Sequence, residues 1–385
     1  APAAAPSPAE SGRGSVGTLL RIGGTLLVVL GAFTFFAPLT GEWSELAVSL
    51  GTSAPFAGGI VMAIGIVMLL FALQREPAEP HTPIQLSILR LLIPGYNVYH
   101  LVVAFLLPSW RELDAEAQLE REARKAAGKG HDWRPLIVLC TGAVFLALME
   151  YFGHSPTLYQ LIHHYAPRGT PSTGFWGMVR DSQYNLLWEF VWWSGWRVLG
   201  FFLLPAIVLK LMGEKIADYG LKTRGFLEHA WIYGFFLCVV LVMVFAVSYE
   251  ESFQTYYPFY RERLHQPELH GHAGRSWYDF WAWEVLYAAQ FFSLEFFFRG
   301  FWVKACKTAM GSGAIFAMVV PYCMIHFGKP FPETLGAILA GVVLGTLALK
   351  TRSIWSGFLI HVSVAISMDM AALLQTTGLP NQWWP

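Results

Sequence analysis

Charge is what this sequence has least of. Asp, Glu, Lys and Arg make up 14% of its 385 residues, against about 25% in an average soluble domain. The 26 basic and 26 acidic residues cancel to a formal net charge of zero, so no global field draws nucleic acid or an acidic partner. Cysteine is scarce too. Cys140, Cys238, Cys306 and Cys323 show no CxxC spacing, and each lies in or beside an apolar stretch. A free Cys there acts as a small hydrophobe, and no disulfide or zinc knuckle is expected. Walker A and HExxH patterns are absent, which removes the P-loop and zinc-protease signatures. These shortages exclude a disordered chain and speak against an ordinary soluble enzyme.

What the chain has is apolar and aromatic side chains. Apolar types reach 55% and aromatics 16%, with 16 Trp and 29 Phe, and the mean hydropathy is +0.45. That composition suits walls that meet lipid and headgroups.

A bilayer core takes about 20 apolar residues per helix. Runs of that kind lie at 18–39, 55–74, 135–152, 185–209, 228–248, 280–303, 313–327, 333–349 and 354–377. The tenth run, 84–107, is interrupted by Arg90, Pro94-Gly95, Asn97 and His100. Loop charge decides its status. If it spanned, the basic cluster Arg111, Arg121, Arg124, Lys125, Lys129 and Arg134 would fall outside. If it does not, that cluster lies inside, together with the basic residues of 210–225, 304–312 and 350–353. The expectation is therefore an all-α polytopic bundle of about nine transmembrane helices, with 84–107 as an interfacial or re-entrant helix. Its N-terminus is cytoplasmic and its C-terminus outside, in a prokaryotic inner membrane.

The domain expectation follows the same boundaries. Residues 1–17 are a flexible tail rich in Ala, Pro, Ser and Gly. The chain opens without Met, pointing to a start that is missing or processed; 19–39 is too long for a signal-peptide core. Residues 18–134 are an N-terminal membrane addition, ending in a charged cytoplasmic helix over 111–134. That helix reads as a solvated surface element, with lipid-headgroup contact as the lesser alternative. Residues 135–377 form the membrane core, and 378–385 a C-terminal tail. The long aromatic loops 153–184 and 249–279 are placed to cap a site. His265, His270 and His272 in the second read as loop histidines, because no Cys or carboxylate stands at ligand spacing with them.

Ionisable residues inside a membrane are expensive, and each is a functional candidate whose partner must be named. Glu295 and Arg299, in SLEFFFRGF, share a helix face at i,i+4. They read as a buried ion pair or as a carboxylate kept ionised for chemistry. His326 ends the next apolar run and His361 lies in the last. Together with Glu295 they form a set able to activate water and steady an oxyanion. Asp369, eight residues after His361, lies about 12 Å further along that helix and within reach of the same cavity. Glu333 follows Pro332 at a helix start, where the macrodipole favours a carboxylate. Gly336, Gly341 and Gly345 allow close helix packing.

The order Glu-x-x-x-Arg-Gly (Glu295 to Gly300), aromatic-x-x-x-His (Tyr322 to His326) and a late His361 resembles the CAAX-protease and bacteriocin-processing (CPBP) family of intramembrane proteases. PETLGAILAGVVLGTLALKTRSIWSGFLIH and EKIADYGLK fit it too, so the resemblance covers about 210–370. It implies a helical membrane peptidase of the glutamic type, or an inactive relative. In the family pattern a Glu-Glu pair precedes the Arg, its first Glu activating water. Here Leu294 holds that first position, Tyr322 replaces Phe, and Ala365 stands where Asn or Asp is expected.

The expectation is an intramembrane hydrolase with Glu295, His326 and His361 catalytic, supported by Arg299, Asp369, Tyr322 and Glu333. It would cut a membrane-associated peptide by carboxylate-activated water. The alternative is a pseudo-enzyme acting as a scaffold or subunit of a membrane complex. No cofactor and no metal is called for, and haem between His326 and His361 is disfavoured because no other redox signature accompanies it. The expected partners are the lipid bilayer, a peptide or protein substrate and a complex partner, with no nucleic acid.

Overall fold

The computed structural model describes residues 100–182, 184–223, 230–260 and 276–384. The spans expected at 18–39 and 55–74, most of 84–107, and His265, His270 and His272 lie outside the described residues. The chain divides into two units, Ala1–Ser109 and Trp110–Pro385. Of the first, residues 100–109 are described, and they include the π-helical segment His100–Leu106.

The second unit is helical, and among its described residues no strand forms, only two isolated bridges. Its elements are α1 (Leu107–Ala126, begun at the end of the first unit), α2 (Arg134–Phe152), α3 (Ser155–Tyr165), α4 (Gly174–Arg180) and α5 (Asn185–Leu211). There follow α6 (Ala230–Val247), α7 (Glu251–Tyr256) and α8 (Trp277–Glu295). From α8 the chain passes through a π-helical segment, Phe296–Val303, into α9 (Lys304–Met310). It ends with α10 (Gly313–Met324), α11 (Phe331–Thr351) and α12 (Trp355–Gln375).

Local chemistry explains the boundaries. Pro occupies the first turn of α2, α3 and α11, where its missing N–H leaves no bond unmade. Ser276 caps α8 by accepting from the Asp279 N–H at 3.1 Å. Gly311 stops α9 with φ +60°, so the expected turn 304–312 is helical as far as Met310. Its Lys and Ala residues are good helix formers. The expected loop 153–184 likewise contains α3 and α4, and 249–279 contains α7.

Four helices are long and apolar enough to cross a membrane: Arg134–Phe152, Asn185–Leu211, Phe331–Thr351 and Trp355–Gln375. They match four of the expected spans. The expected span 313–327 holds a 12-residue helix, and the expected span 280–303 is divided between α8 and the π-helical segment.

The π-helical segment is the centre of the core. Phe296, Phe297, Phe298 and Phe301 are all fully buried and pack with Tyr219, Trp302, Met318 and Tyr322. Around it α10 lies along α11, α5 along α8, α6 along α12, and α8 along α12. Two of the three expected small-residue contacts exist. A Cβ at Gly341 would meet Val319 at 3.0 Å and one at Gly345 would meet Ile315 at 3.0 Å, whereas Gly336 faces open space.

The charged helix α1 is more than a solvated face. Lys307 reaches Glu116 at 2.6 Å and Glu120 at 3.1 Å, Lys350 bonds Glu112, and the Ser312 N–H donates to Asp114 at 2.7 Å. Its acidic residues therefore seat it on α9 and on the end of α11. Beside it, Asp132 receives two hydrogen bonds from the Arg134 guanidinium, at 2.9 and 2.7 Å. That guanidinium, together with Arg124, holds the Asp132 carboxyl below its ordinary range against a partial burial cost.

Candidate functional site

Glu295 is the last residue of α8, and the change to π-helix begins directly after it. A π-helical turn inside an α-helix is rare and concentrates at functional sites. The carboxylate is 1% exposed. Its Oε1 lies 3.2 Å from Arg299 Nη1 and 2.9 Å from His361 Nδ1. Its Oε2 lies against Gly357 of α12, where a Cβ would stand 2.5 Å away. Only a residue without a side chain admits the carboxylate at that point.

His361 sits two turns into α12. Its ring is stacked on Phe291, with centroids 5.2 Å apart and planes 7° from parallel. Its Nε2 is 2.9 Å from the Tyr322 hydroxyl. The Tyr322 ring lies under the Arg299 guanidinium at 4.1 Å, a cation–π contact in a desolvated setting. The four groups close a ring: Arg299 to Glu295, Glu295 to His361, His361 to Tyr322, and Tyr322 back to Arg299. His326, in the turn after α10, joins through its own helix, with Nδ1 2.8 Å from the Tyr322 carbonyl oxygen. Its ring packs edge-on to Tyr322 at 4.9 Å. Glu295, Arg299 and Tyr322 are sealed in, while the His361 side chain is 16% exposed and His326 half-buried. The imidazoles are the members of the cluster that reach the surface.

The structure thus gathers Glu295, Arg299, Tyr322, His326 and His361 into one cluster. Asp369 is held elsewhere. Its Oδ2 accepts from the Trp283 indole N–H at 2.8 Å and its Oδ1 from the Phe259 backbone N–H at 3.3 Å. Glu333 accepts from Lys329 at 2.6 Å and from the Tyr257 hydroxyl at 2.8 Å. Asp369 and Glu333 therefore tie down the segment 257–260 from two sides. Phe259 of that segment stacks on Trp283, with planes 8° from parallel. Between Asp369 and His361 the seam is filled by Trp283, Tyr287 and Phe291, ring upon ring.

Two positions that matter to the family pattern are apolar and buried. Leu294 is 3% exposed in the main core, and Ala365 is 4% exposed among Trp283, Tyr287 and Phe280. Glu284, 4% exposed on α8 and a side-chain neighbour of Asp369, was not singled out from the sequence. Its signal was available, since it is an acid within the run 280–303. The Tyr322–His361 bond links residues 39 positions apart, and no local spacing announces it. Among the described residues no group of three or more His, Cys, Asp and Glu converges as metal ligands.

Residues 275–367 match the family described as Type II CAAX prenyl endopeptidase Rce1-like. The matched stretch holds the whole cluster and ends two residues before Asp369. The match places this segment in the CPBP family. No curated protein and no solved structure matches the chain.

Proposed function

We propose that this CPBP-family chain is an intramembrane peptidase of the CAAX type, hydrolysing a membrane-associated peptide at the Glu295 cluster. One observation carries the reading: a buried carboxylate, a guanidinium, a phenol and two imidazoles, from α8 with its π-helical continuation, from the end of α10 and from α12, meet inside an apolar bundle, and only the imidazoles reach outward. Such an arrangement is expensive to bury and is kept for function by default.

The chemistry follows from what each group can do. Water attacks the scissile carbonyl carbon, and its proton passes to an imidazole lone pair. The amide C–N bond breaks and the same proton goes to the leaving amine. Glu295 is closed off from water, so it does not take that proton itself; it holds His361, and through it the Tyr322 hydroxyl, in the ring that positions the imidazoles. Arg299 keeps Glu295 ionised. This differs from a Glu295 that activates water itself.

The test uses the full chain in liposomes with a prenylated CAAX peptide, following release of the C-terminal fragment by mass spectrometry. Glu295→Gln is expected to lower turnover at least ~100-fold, the range of a lost acid–base partner. Full activity in Glu295→Gln overturns the assignment.

A second reading is favoured by Leu294 and Ala365, which are packed as ordinary core residues. In it the chain is an inactive relative that binds a membrane protein as a scaffold or subunit. A stoichiometric partner on purification, with no processing defect in His326→Ala, is the result expected from it.

A further inference from the structure

The two histidines of the cluster are tethered differently, and one residue does both tetherings. A neutral imidazole has one N–H and one lone pair, and whatever faces one nitrogen determines the other. His326 Nδ1 lies 2.8 Å from the Tyr322 carbonyl oxygen. A carbonyl only accepts, so Nδ1 carries the hydrogen and the lone pair is on Nε2. His361 Nδ1 lies 2.9 Å from Glu295 Oε1. The approach is bent away from hydrogen-bond geometry, but a lone pair this close to a carboxylate oxygen would repel it, so here too Nδ1 carries the hydrogen. The lone pair of His361 is then on Nε2, 2.9 Å from the Tyr322 hydroxyl, which donates to it.

Tyr322 cannot readily swing away. It is 1% exposed, its ring is clamped under Arg299 at 4.1 Å, and Phe298 packs edge-on to it at 5.2 Å. Phe291, stacked on the His361 ring, fixes the acceptor side. The hydroxyl is present only because Tyr stands where the family resemblance expects Phe.

We propose that Tyr322 is the positioning residue that divides the work between the two histidines: its hydroxyl occupies His361 Nε2 and its carbonyl turns His326 Nε2 outward as the open lone pair. His326 is then the base available to water, and His361 is a fixed link between Glu295 and Tyr322. The inference rests on reading this cluster as the reactive site, and its test does not depend on hydrolysis.

The test is carbethoxylation of the intact full chain in detergent micelles with diethyl pyrocarbonate, which attacks an unprotonated imidazole nitrogen, followed by peptide mass mapping. In the wild type His326 is expected to label at least tenfold faster than His361. Tyr322→Phe keeps the ring and its place under Arg299 but removes the hydroxyl, and is expected to raise the His361 rate at least tenfold. The exposed His154 and His163 serve as internal references and keep their rates if the fold is intact. Equal labelling of His326 and His361 in the wild type overturns the proposal. So does an unchanged His361 rate in Tyr322→Phe with the references steady. If that variant fails to fold, the wild-type ratio of the two rates still decides. The expected labelling without any peptide cleavage upholds the inference and removes the peptidase reading.

Discussion

Glu295 and Asp369 are both buried on the seam between α8 and α12, and they are held in opposite ways. Glu295 faces a guanidinium and an imidazole. Asp369 accepts from an indole N–H and a backbone N–H. Along α12 the two sites are separated by the eight residues from His361 to Asp369, about 12 Å of helix. The difference lies in what the partners can do. A guanidinium offsets the Glu295 charge and an imidazole can take and return a proton, whereas the indole and amide N–H groups at Asp369 only donate, and its further neighbour, Glu284, is a second acid. Equal burial therefore yields a cluster that carries two imidazoles at one end of the seam and a clasp for the 257–260 segment at the other.

The comparison breaks first at Arg299. Taking one partner from a buried ion pair leaves a charge with no way to reach water, at a cost of about 3–5 kcal/mol. Arg299→Met is expected to lose that much in thermal unfolding in detergent. A loss below about 1 kcal/mol would mean that His361 alone suffices for Glu295, and the ring of four would be incidental.

Asp369→Asn comes next. An amide retains one acceptor oxygen but turns its NH₂ toward an N–H donor, so one bond is lost and one donor is stranded. The expected cost is about 2 kcal/mol. It should appear with faster proteolysis at 257–260 and unchanged labelling of His326 and His361. Altered histidine labelling would show that the two ends of the seam act as one site.

Gly357→Ala probes the Glu295 end from the other side. The added methyl would stand 2.5 Å from Oε2, and a forced fit of this size costs about 1.5 kcal/mol. The carboxylate must shift toward Arg299 or His361, so peptide cleavage should fall more steeply than stability. Equal small losses in both would show that the carboxylate has room.

How much of this could be read from the chain depends on how local the cause is. Apolar runs at bilayer length located four spans, because hydropathy sums over neighbours. Glu295 and Arg299 were legible as an i,i+4 pair, and His326 and His361 through the spacing of family motifs. The partners of Asp369 were not. Distance along α12 set it near His361, but Trp283, Tyr287 and Phe291 fill the space between and turn it toward Phe259. That depends on α8–α12 register, which sequence separation does not encode. The π-helical segment after Glu295 was also hidden, since its crowded aromatics read equally well as an α-helical core face. The acidic residues of α1 looked like a solvated pattern because their partners, Lys307, Ser312 and Lys350, lie about 190 to 240 positions away.

The smallest expected effect uses a third carboxylate as a reference for the other two. Asp132 has its own bidentate guanidinium, Arg134, but its side chain is 14% exposed and lies in a connecting turn. Its carboxyl is held below the ordinary range first by the Arg134 hydrogen bonds. A carboxyl whose folded-state value is depressed stabilises the fold above its unfolded value, near 3.9, and that contribution fades as pH falls through the folded-state value. Wild type should therefore exceed Asp132→Asn by about 1 kcal/mol at pH 7, the difference closing in strong acid. It should also shrink when salt is raised from 0.15 to 1 M, as the screening length drops from about 8 to about 3 Å. The cost of Arg299→Met should not move with salt, because no ions reach Glu295. If both respond alike, Glu295 is open to solvent, and the contrast between a sealed charge and a screened one fails.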